Sequence, residues 1–196
     1  MDQLPPWAAV VLAGGSATRL GGAAKPQLRV GDRTMLQAVL DAVEGATTTV
    51  VVGPPQDVPA DVLLTREDPP GGGPVAALRA GLAVVDTDVV AVLAGDLPFV
   101  TAALVADLRR RLSRDGVLVV DDTGRDQLLL GVWRTVALRT AVAGPGAPRA
   151  LHRAVSALAV DRHRPALAPG EVPPWLDCDT PEELARAREV AGRTAG

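Results

Sequence analysis

Aromatic residues are almost missing from this 196-residue chain, which has three tryptophans, Phe99 and no tyrosine. Single-stranded nucleic acid is held on platforms of several exposed rings, so that class of partner is not expected. Positive charge is short as well: 20 Lys and Arg stand against 23 Asp and Glu, a net charge of -3. No broad cationic field exists to follow a nucleic-acid backbone, and any phosphate site has to be local. Cys178 is the only cysteine, which excludes an internal disulfide and any multi-cysteine metal site. No run of about 18 uncharged apolar residues is present, as a membrane-spanning helix would need. The start MDQLPP lacks the basic and apolar stretches of a signal peptide. These absences together lead us to expect a soluble, cytoplasmic protein with neither membrane nor nucleic acid as partner.

What the chain does have is aliphatic bulk. Hydrophobic residues make up 47% and charged residues 22%, the balance of a globular protein, and the length suits one buried unit, residues 1–196. The run WAAVVLA at 7–13 ends in Gly14-Gly15 and reads as a strand buried on both faces. A glycine-rich loop follows, then a helix from Thr34 to about Glu44. Strands are expected at 48–53, 62–65 and 88–94. Between the last two, Asp68 to Pro74 is a Pro/Gly loop that leads into a helix reaching about Val85. Thr101 caps a helix to about Ser113, GVLVVDD and QLLLGVW are strands, and Asp121-Asp122 before Thr123-Gly124 reads as the hairpin turn between them. A Gly/Pro cluster at 144–148 breaks the chain ahead of a short helical stretch with Arg149 and Arg153, and 165–174 is an irregular crossing. WLDCD at 175–179 reads as a short strand, and Thr180-Pro181-Glu182-Glu183 as a helix start. Alternating strands and helices predict an α/β fold with a mainly parallel sheet covered on both faces.

Three groups of residues can carry chemistry. From Leu12 to Lys25 the sequence is LAGGSATRLGGAAK. Its glycines let backbone N–H groups approach a polyphosphate, and Arg19 and Lys25 complement phosphate charge; the bland alternative is a glycine-rich turn with two solvated cations. The P-loop spacing and the GxGxxG spacing are both absent. Asp96 is placed at the carboxyl end of a parallel strand, where open α/β sheets bind ligands. A carboxylate there can hold a magnesium ion that bridges triphosphate oxygens, or can simply cap a loop. Asp177 and Asp179, two residues apart, are expected on one side of the chain. Two close carboxylates call for a cation between them or for one solvated member, unless Asp179 only caps the last helix. His152 and His163 are expected at the surface.

Taken in order, LAGGSATRLGGAAKPQL, EDPPGGGPVAAL, GDLPFV, QLLLGVWR and DCDTPEELARA resemble the MobA-like nucleotidyltransferases of molybdenum cofactor biosynthesis, within the GT-A-type transferase group. The resemblance spans nearly the whole chain. It implies a three-layer α/β/α, Rossmann-like fold whose N-terminal part binds nucleotide and whose C-terminal part binds the acceptor. The implied reaction is transfer of GMP from GTP to the phosphate of molybdopterin, with magnesium as cofactor, release of pyrophosphate, and molybdoenzyme maturation proteins as further partners. Residue by residue, it implies nucleotide binding by Leu12, Ala13, Gly14 and Gly15, phosphate binding by Arg19 and Lys25, and metal binding by Asp96. Base or ribose recognition falls to Asp68 and Gly73, and an acceptor or second-metal element to Asp177 and Asp179. The chain departs from the family pattern at Ala24, where many members have Asp, at Leu20 in place of Met, and in its Asp-x-Asp element where well-known guanylyltransferases have Asn-x-Asn. Related transferases that use CTP, or that act on phospholactate, a sugar phosphate or methylerythritol phosphate, therefore remain alternatives, as does a non-catalytic nucleotide-binding homologue.

Overall fold

The six residues Trp7–Leu12 (β1) are all buried, because side chains alternate across a strand and both faces of this one are covered. Ala9 and Val11 join one apolar cluster, while Ala8, Val10 and Leu12 join another on the opposite face. The computed structural model describes residues 4–14, 25–144, 147 and 150–194. In it β1 pairs in parallel with Thr48–Val52 (β4) on one side and Val89–Ala94 (β6) on the other. Arg29–Val30 (β2) and Arg33–Thr34 (β3) form a separate two-stranded hairpin.

The main sheet is completed by Leu63–Thr65 (β5), Gly116–Val120 (β7), Asp126–Arg134 (β8) and Val160–His163 (β9), in the order β5-β4-β1-β6-β8-β7-β9. β8 is antiparallel to both neighbours, β6 and β7, and the other pairings are parallel. The sheet is therefore mainly parallel, with one reversed strand beside β6. That reversal brings the start of β8 to the same edge of the sheet as the end of β6.

Helices cover both faces. Met35–Ala42 (α1) and Ala102–Arg111 (α3) supply Leu36, Val39, Leu104 and Leu108 to one cluster. Pro74–Leu82 (α2), Thr135–Val142 (α4) and Leu151–Val155 (α5) supply Leu78, Leu138 and Leu151 to the other. Local signals set their starts. Thr34 accepts a hydrogen bond from the Gln37 N–H while the Gln37 side chain accepts one from the Thr34 N–H, a reciprocal cap that satisfies two orphan donors. Thr101 caps α3 through the Leu104 N–H at 3.2 Å. Pro181–Thr194 (α6) begins with the same device, Thr180 and Glu183 exchanging bonds of 2.8 and 3.2 Å. Leu184 and Ala187 of α6 pack with Val30, Met35 and Cys178 in a third, smaller cluster. No described helix is long and apolar enough to cross a membrane.

The expected strand at 175–179 is not formed. Leu176 instead donates to the Pro173 carbonyl in a turn, and the segment is anchored by burial of the Cys178 side chain against α6 and the β2–β3 hairpin. Asp177 and Asp179 nevertheless flank the inward-pointing Cys178 and both face the same cleft, so the expected same-side placement holds without a sheet ladder. His163 is also corrected. Its side chain is 17% exposed and its Nε2 lies 3.1 Å from an Asp107 carboxylate oxygen, whereas His152 is exposed as expected. Strand β9, the β2–β3 hairpin and helix α4 were not expected. Of the short helical stretch, Arg149 lies outside the described residues and the helix itself starts at Leu151.

Candidate active site

The end of β1 is held to both neighbouring strands by backbone. Ala13 donates to the Val52 carbonyl at 2.8 Å, and the Leu12 carbonyl accepts from the Gly95 N–H at 2.9 Å. These contacts leave no room for side chains. A Cβ on Gly53 would stand 2.7 Å from the Ala13 carbonyl oxygen, and one on Gly95 would stand 3.0 Å from the Ala13 Cβ. Leu12 and Ala13 are buried, and Gly14 is exposed. Leu12 and Ala13 thus fix the strand end, and Gly14 is where the chain becomes available to a ligand. Gly15 and Arg19, together with Ala24 and Leu20, lie outside the described residues.

The chain resumes at Lys25, in a single helical turn, Lys25–Gln27, of 3-10 type. Gln27 pins that turn by donating to the Asp57 carbonyl at 3.1 Å and to the Gln56 side chain at 3.3 Å. Gln56 in turn reaches the Ala13 carbonyl. Sequence reasoning missed these two glutamines, since neither belongs to a chemical motif and their pairing is visible only in three dimensions.

Lys25 is thereby directed at two carboxylates. Its ammonium donates to Asp96, which follows Gly95 at the end of β6, and at 2.5 Å to Asp179. The side chains of Lys25 and Asp96 are 14% and 22% exposed and that of Asp179 is 62% exposed. Burial works against the charge on Lys25, but the Asp96 carboxylate, followed by the hydrogen bonds Lys25 donates to Asp179 and Asp96, raises its pKa above the ordinary value. Asp177 is raised too, first by burial and then by the negative charges of Asp179 and Asp96, against the pull of Lys25. Burial pushes the Cys178 thiol up to about 12, so it has no thiolate to offer near neutral pH.

A monocation in contact with two carboxylates, with a third close enough to feel them, leaves local negative charge uncompensated. A further cation would compensate it. Among the described residues no group of three or more His, Cys, Asp or Glu could hold a metal alone. A site of one or two carboxylates suits magnesium, which usually completes its octahedron with water and substrate phosphates. Asp96 and Asp179, which already hold the Lys25 ammonium, are the residues that fit it.

The cleft beside this cluster has a volume of about 1180 Å³ and is lined by Asp96, Asp177 and Asp179 together with the β7–β8 hairpin. Asp121 organises that hairpin. Its carboxylate accepts from the Thr123 N–H and hydroxyl at 2.9 and 2.7 Å, from the Arg125 N–H at 2.9 Å and from Gln127 at 2.8 Å. The Thr123 side-chain bond and the Arg125 backbone bond are the largest influences holding it down at about 2, well below the usual carboxylate range. Gly124 turns the hairpin at φ 89°. Asp68 and Gly73 sit elsewhere: Asp68 is exposed and does not line the cleft, while Gly73, at φ 82°, starts α2 one residue before Pro74, which does line it.

This geometry has relatives. Residues 9–167 match the MobA-like NTP transferase domain. A Mycobacterium tuberculosis protein named "Probable molybdenum cofactor guanylyltransferase" is 34% identical over 138 residues, covering 66% of this chain and 69% of that one. The molybdenum cofactor guanylyltransferase of Rhodopseudomonas palustris is 29% identical over 211 residues, covering 98% of each chain. Among solved structures, the molybdopterin-guanine dinucleotide biosynthesis protein A of Archaeoglobus fulgidus superposes with a TM-score of 0.73 at 20% identity, over 95% of this chain and 99% of that one. The 2-C-methyl-D-erythritol 4-phosphate cytidylyltransferase of Thermus thermophilus does so with 0.68 at 19% identity, over 93% and 98%. The two structural likenesses carry the fold, and the match over most of the sequence carries the kinship: this chain belongs to the MobA-like NTP transferase family and is a nucleotidyltransferase.

Proposed function

We propose that the protein transfers GMP from GTP to the phosphate of a molybdopterin acceptor, with magnesium and in the cytoplasm, releasing pyrophosphate. The observation that carries this reading is the placement of the Lys25 ammonium between Asp96 and Asp179, at the edge of the sheet where the β1 backbone ends in Gly14. The names of the relatives from Mycobacterium tuberculosis and Rhodopseudomonas palustris support the choice of base and acceptor.

In this mechanism an acceptor phosphate oxygen attacks the α-phosphorus in line. The new O–P bond forms as the bond to the β-phosphate oxygen breaks, and the electron pair leaves with pyrophosphate. An ionised phosphate acceptor carries no proton to remove, so the chain needs no general base. Its contribution is positioning and charge, the main sources of rate in phosphoryl chemistry. Lys25 takes charge on the α-phosphate oxygens, Arg19 binds the leaving pyrophosphate, and the Gly14–Gly15 backbone holds the triphosphate. Asp68 and Gly73 serve base or ribose recognition, and Asp177 and Asp179 face the acceptor. Asp96, with Asp179 as a second carboxylate, would hold the magnesium, which would supply positive charge against the triphosphate.

The test is a panel of radiolabelled GTP, CTP, ATP and UTP, each with molybdopterin and magnesium. GTP is expected to give a labelled dinucleotide product with stoichiometric pyrophosphate. Product from CTP alone, or from no nucleotide at all, would overturn the assignment.

A further inference from the structure

The nucleotide half of the proposed site is formed by β1, its loop and Lys25. The cleft is a further space: among the described residues that line it none belongs to β1, and Lys25 is not one of them. Ligand pockets commonly measure about 300–1,000 Å³, and this one, at about 1180 Å³, continues past Asp96 to the start of β8 and the 170–177 segment. Its lining includes Leu97, Leu128 and Val172, the polar Gln127, Glu171 and Arg186, and one aromatic ring, Trp175.

That ring is conspicuous in a chain with so few. Trp7 and Trp133 are buried at 5% and 1% exposure, and Phe99 packs against the Val30–Met35 cluster. Trp175 alone is half-buried and on the cleft. It packs against the core cluster that contains Leu97 and Leu130. Its backbone is fixed by the turn from Pro173 to Leu176, by buried Pro174 and by buried Cys178 three residues on. A ring held in this way is a preorganised surface that loses little freedom when a ligand covers it. Polar groups are available nearby for the edge of such a ligand. The Arg125 guanidinium lines the cleft without a hydrogen bond or ion pair among the described residues, and Asp177 presents acceptor oxygens.

We propose that Trp175 is the stacking platform of the acceptor site, and that this half of the site selects a phosphorylated acceptor with a planar heterocyclic body. A polyol phosphate has no flat face to set against the ring and little apolar surface to bury on Leu97, Leu128 and Val172. The inference rests on the transferase reading above and names the residue that determines acceptor choice within it. Trp175 acts in binding and touches no reacting atom.

The experiment is calorimetric titration of the whole chain and its Trp175→Ala and Trp175→Phe variants with a phosphorylated pterin and with 2-C-methyl-D-erythritol 4-phosphate. GTP is titrated into the same three proteins. The pterin phosphate is expected to bind the wild type and to lose roughly ten- to a hundredfold in affinity in Trp175→Ala, as loss of one stacking contact does. Trp175→Phe is expected to keep most of that affinity, and GTP to bind all three proteins equally, which also shows that they are folded. If the pterin phosphate binds wild type and Trp175→Ala alike, the platform is wrong and the choice of acceptor stands. If the erythritol phosphate binds and the pterin phosphate does not, both fall. Loss of GTP affinity in Trp175→Ala would make the residue structural and overturn the proposal.

Discussion

The two sides of the site, to either side of Asp96, are built from different materials. On the side of β5, β4 and β1, the site is backbone: strand ends locked by Ala13 to Val52 and by Leu12 to Gly95, with glycines where any Cβ would strike main chain. On the side of β8, β7 and the 170–179 segment, it is side chains: Arg125, Trp175, Asp177 and Asp179, carried on a hairpin and on a stretch without sheet pairing. Backbone shape cannot be altered one residue at a time without disturbing the sheet, whereas a loop side chain can be exchanged almost freely. A fold divided in this way keeps its reaction while its acceptor changes. The 2-C-methyl-D-erythritol 4-phosphate cytidylyltransferase structure shares the fold of this chain.

Asp96 stands on the seam, and changing it is the severest test of the comparison. Asp96→Asn keeps shape and removes the charge that faces Lys25. If the seam carries the chemistry, turnover is expected to fall by about 10²–10³-fold, the scale of losing one preorganised electrostatic contact. Thermal stability should change little, because the side chain is partly exposed and Lys25 keeps Asp179. Wild-type turnover at saturating magnesium would remove Asp96 from the reaction and leave the two halves without a shared centre.

A pair of glycine variants separates the halves more gently. Gly53→Ala sets a methyl 2.7 Å from the Ala13 carbonyl oxygen, which is main chain and cannot rotate away. A loss of about 2–3 kcal/mol in urea unfolding is expected, at the upper end for overpacking, together with weaker GTP binding. Gly124→Ala meets no crowding but needs φ 89°, a conformation that costs an L-residue about 1–2 kcal/mol. Its functional effect should fall on the KM for the acceptor and leave GTP affinity alone. Equal effects of both variants on GTP would mean that the halves are not separable.

How legible each half was in the sequence follows the same division. The strands β1 and β6 are uninterrupted apolar runs and β4 ends in three buried valines, the pattern of strands covered on both faces, so their place and the end at Asp96 could be read directly. The capping residues Thr34, Thr101 and Thr180 also declared their helices. By contrast β9 is VDRH, a sequence with no strand pattern, which is extended because β7 offers it a free edge. WLDCD has a strand-like pattern and forms none, since burying Cys178 in the third cluster settles its path. The reversal of β8, which creates the crevice, depends on which edge was open and leaves no local trace. The chemistry of Lys25, Asp96, Asp177 and Asp179 was visible as residue types in motifs. Their meeting in one place depends on Gln27 and Gln56, whose pairing spans 29 positions of sequence, and on the same third cluster.

The smallest effect expected is in acid, and it tests whether the hairpin of the side-chain half is as fixed as its four bonds suggest. Asp121 is held at about 2 by its hydrogen bonds with Thr123 and Arg125, against an ordinary value of 3.8. Above the ordinary value both folded and unfolded chains carry the carboxylate, and its contribution to stability is complete. Between 3.8 and about 2 the unfolded chain takes up a proton that the folded chain refuses, so stability falls with falling pH. Below that both forms are protonated and the contribution is gone. In Asp121→Ala this limb is absent. Subtracting the urea stabilities of variant and wild type should cancel the other carboxylates and leave a difference that is constant above about pH 4 and shrinks towards pH 2. A difference that stays flat across that window would mean that Asp121 is not accepting the bonds of Thr123 and Arg125. Arg125 would then hang on a loose turn, and the contrast between a fixed backbone half and a fixed but exchangeable side-chain half would reduce to one between order and mobility.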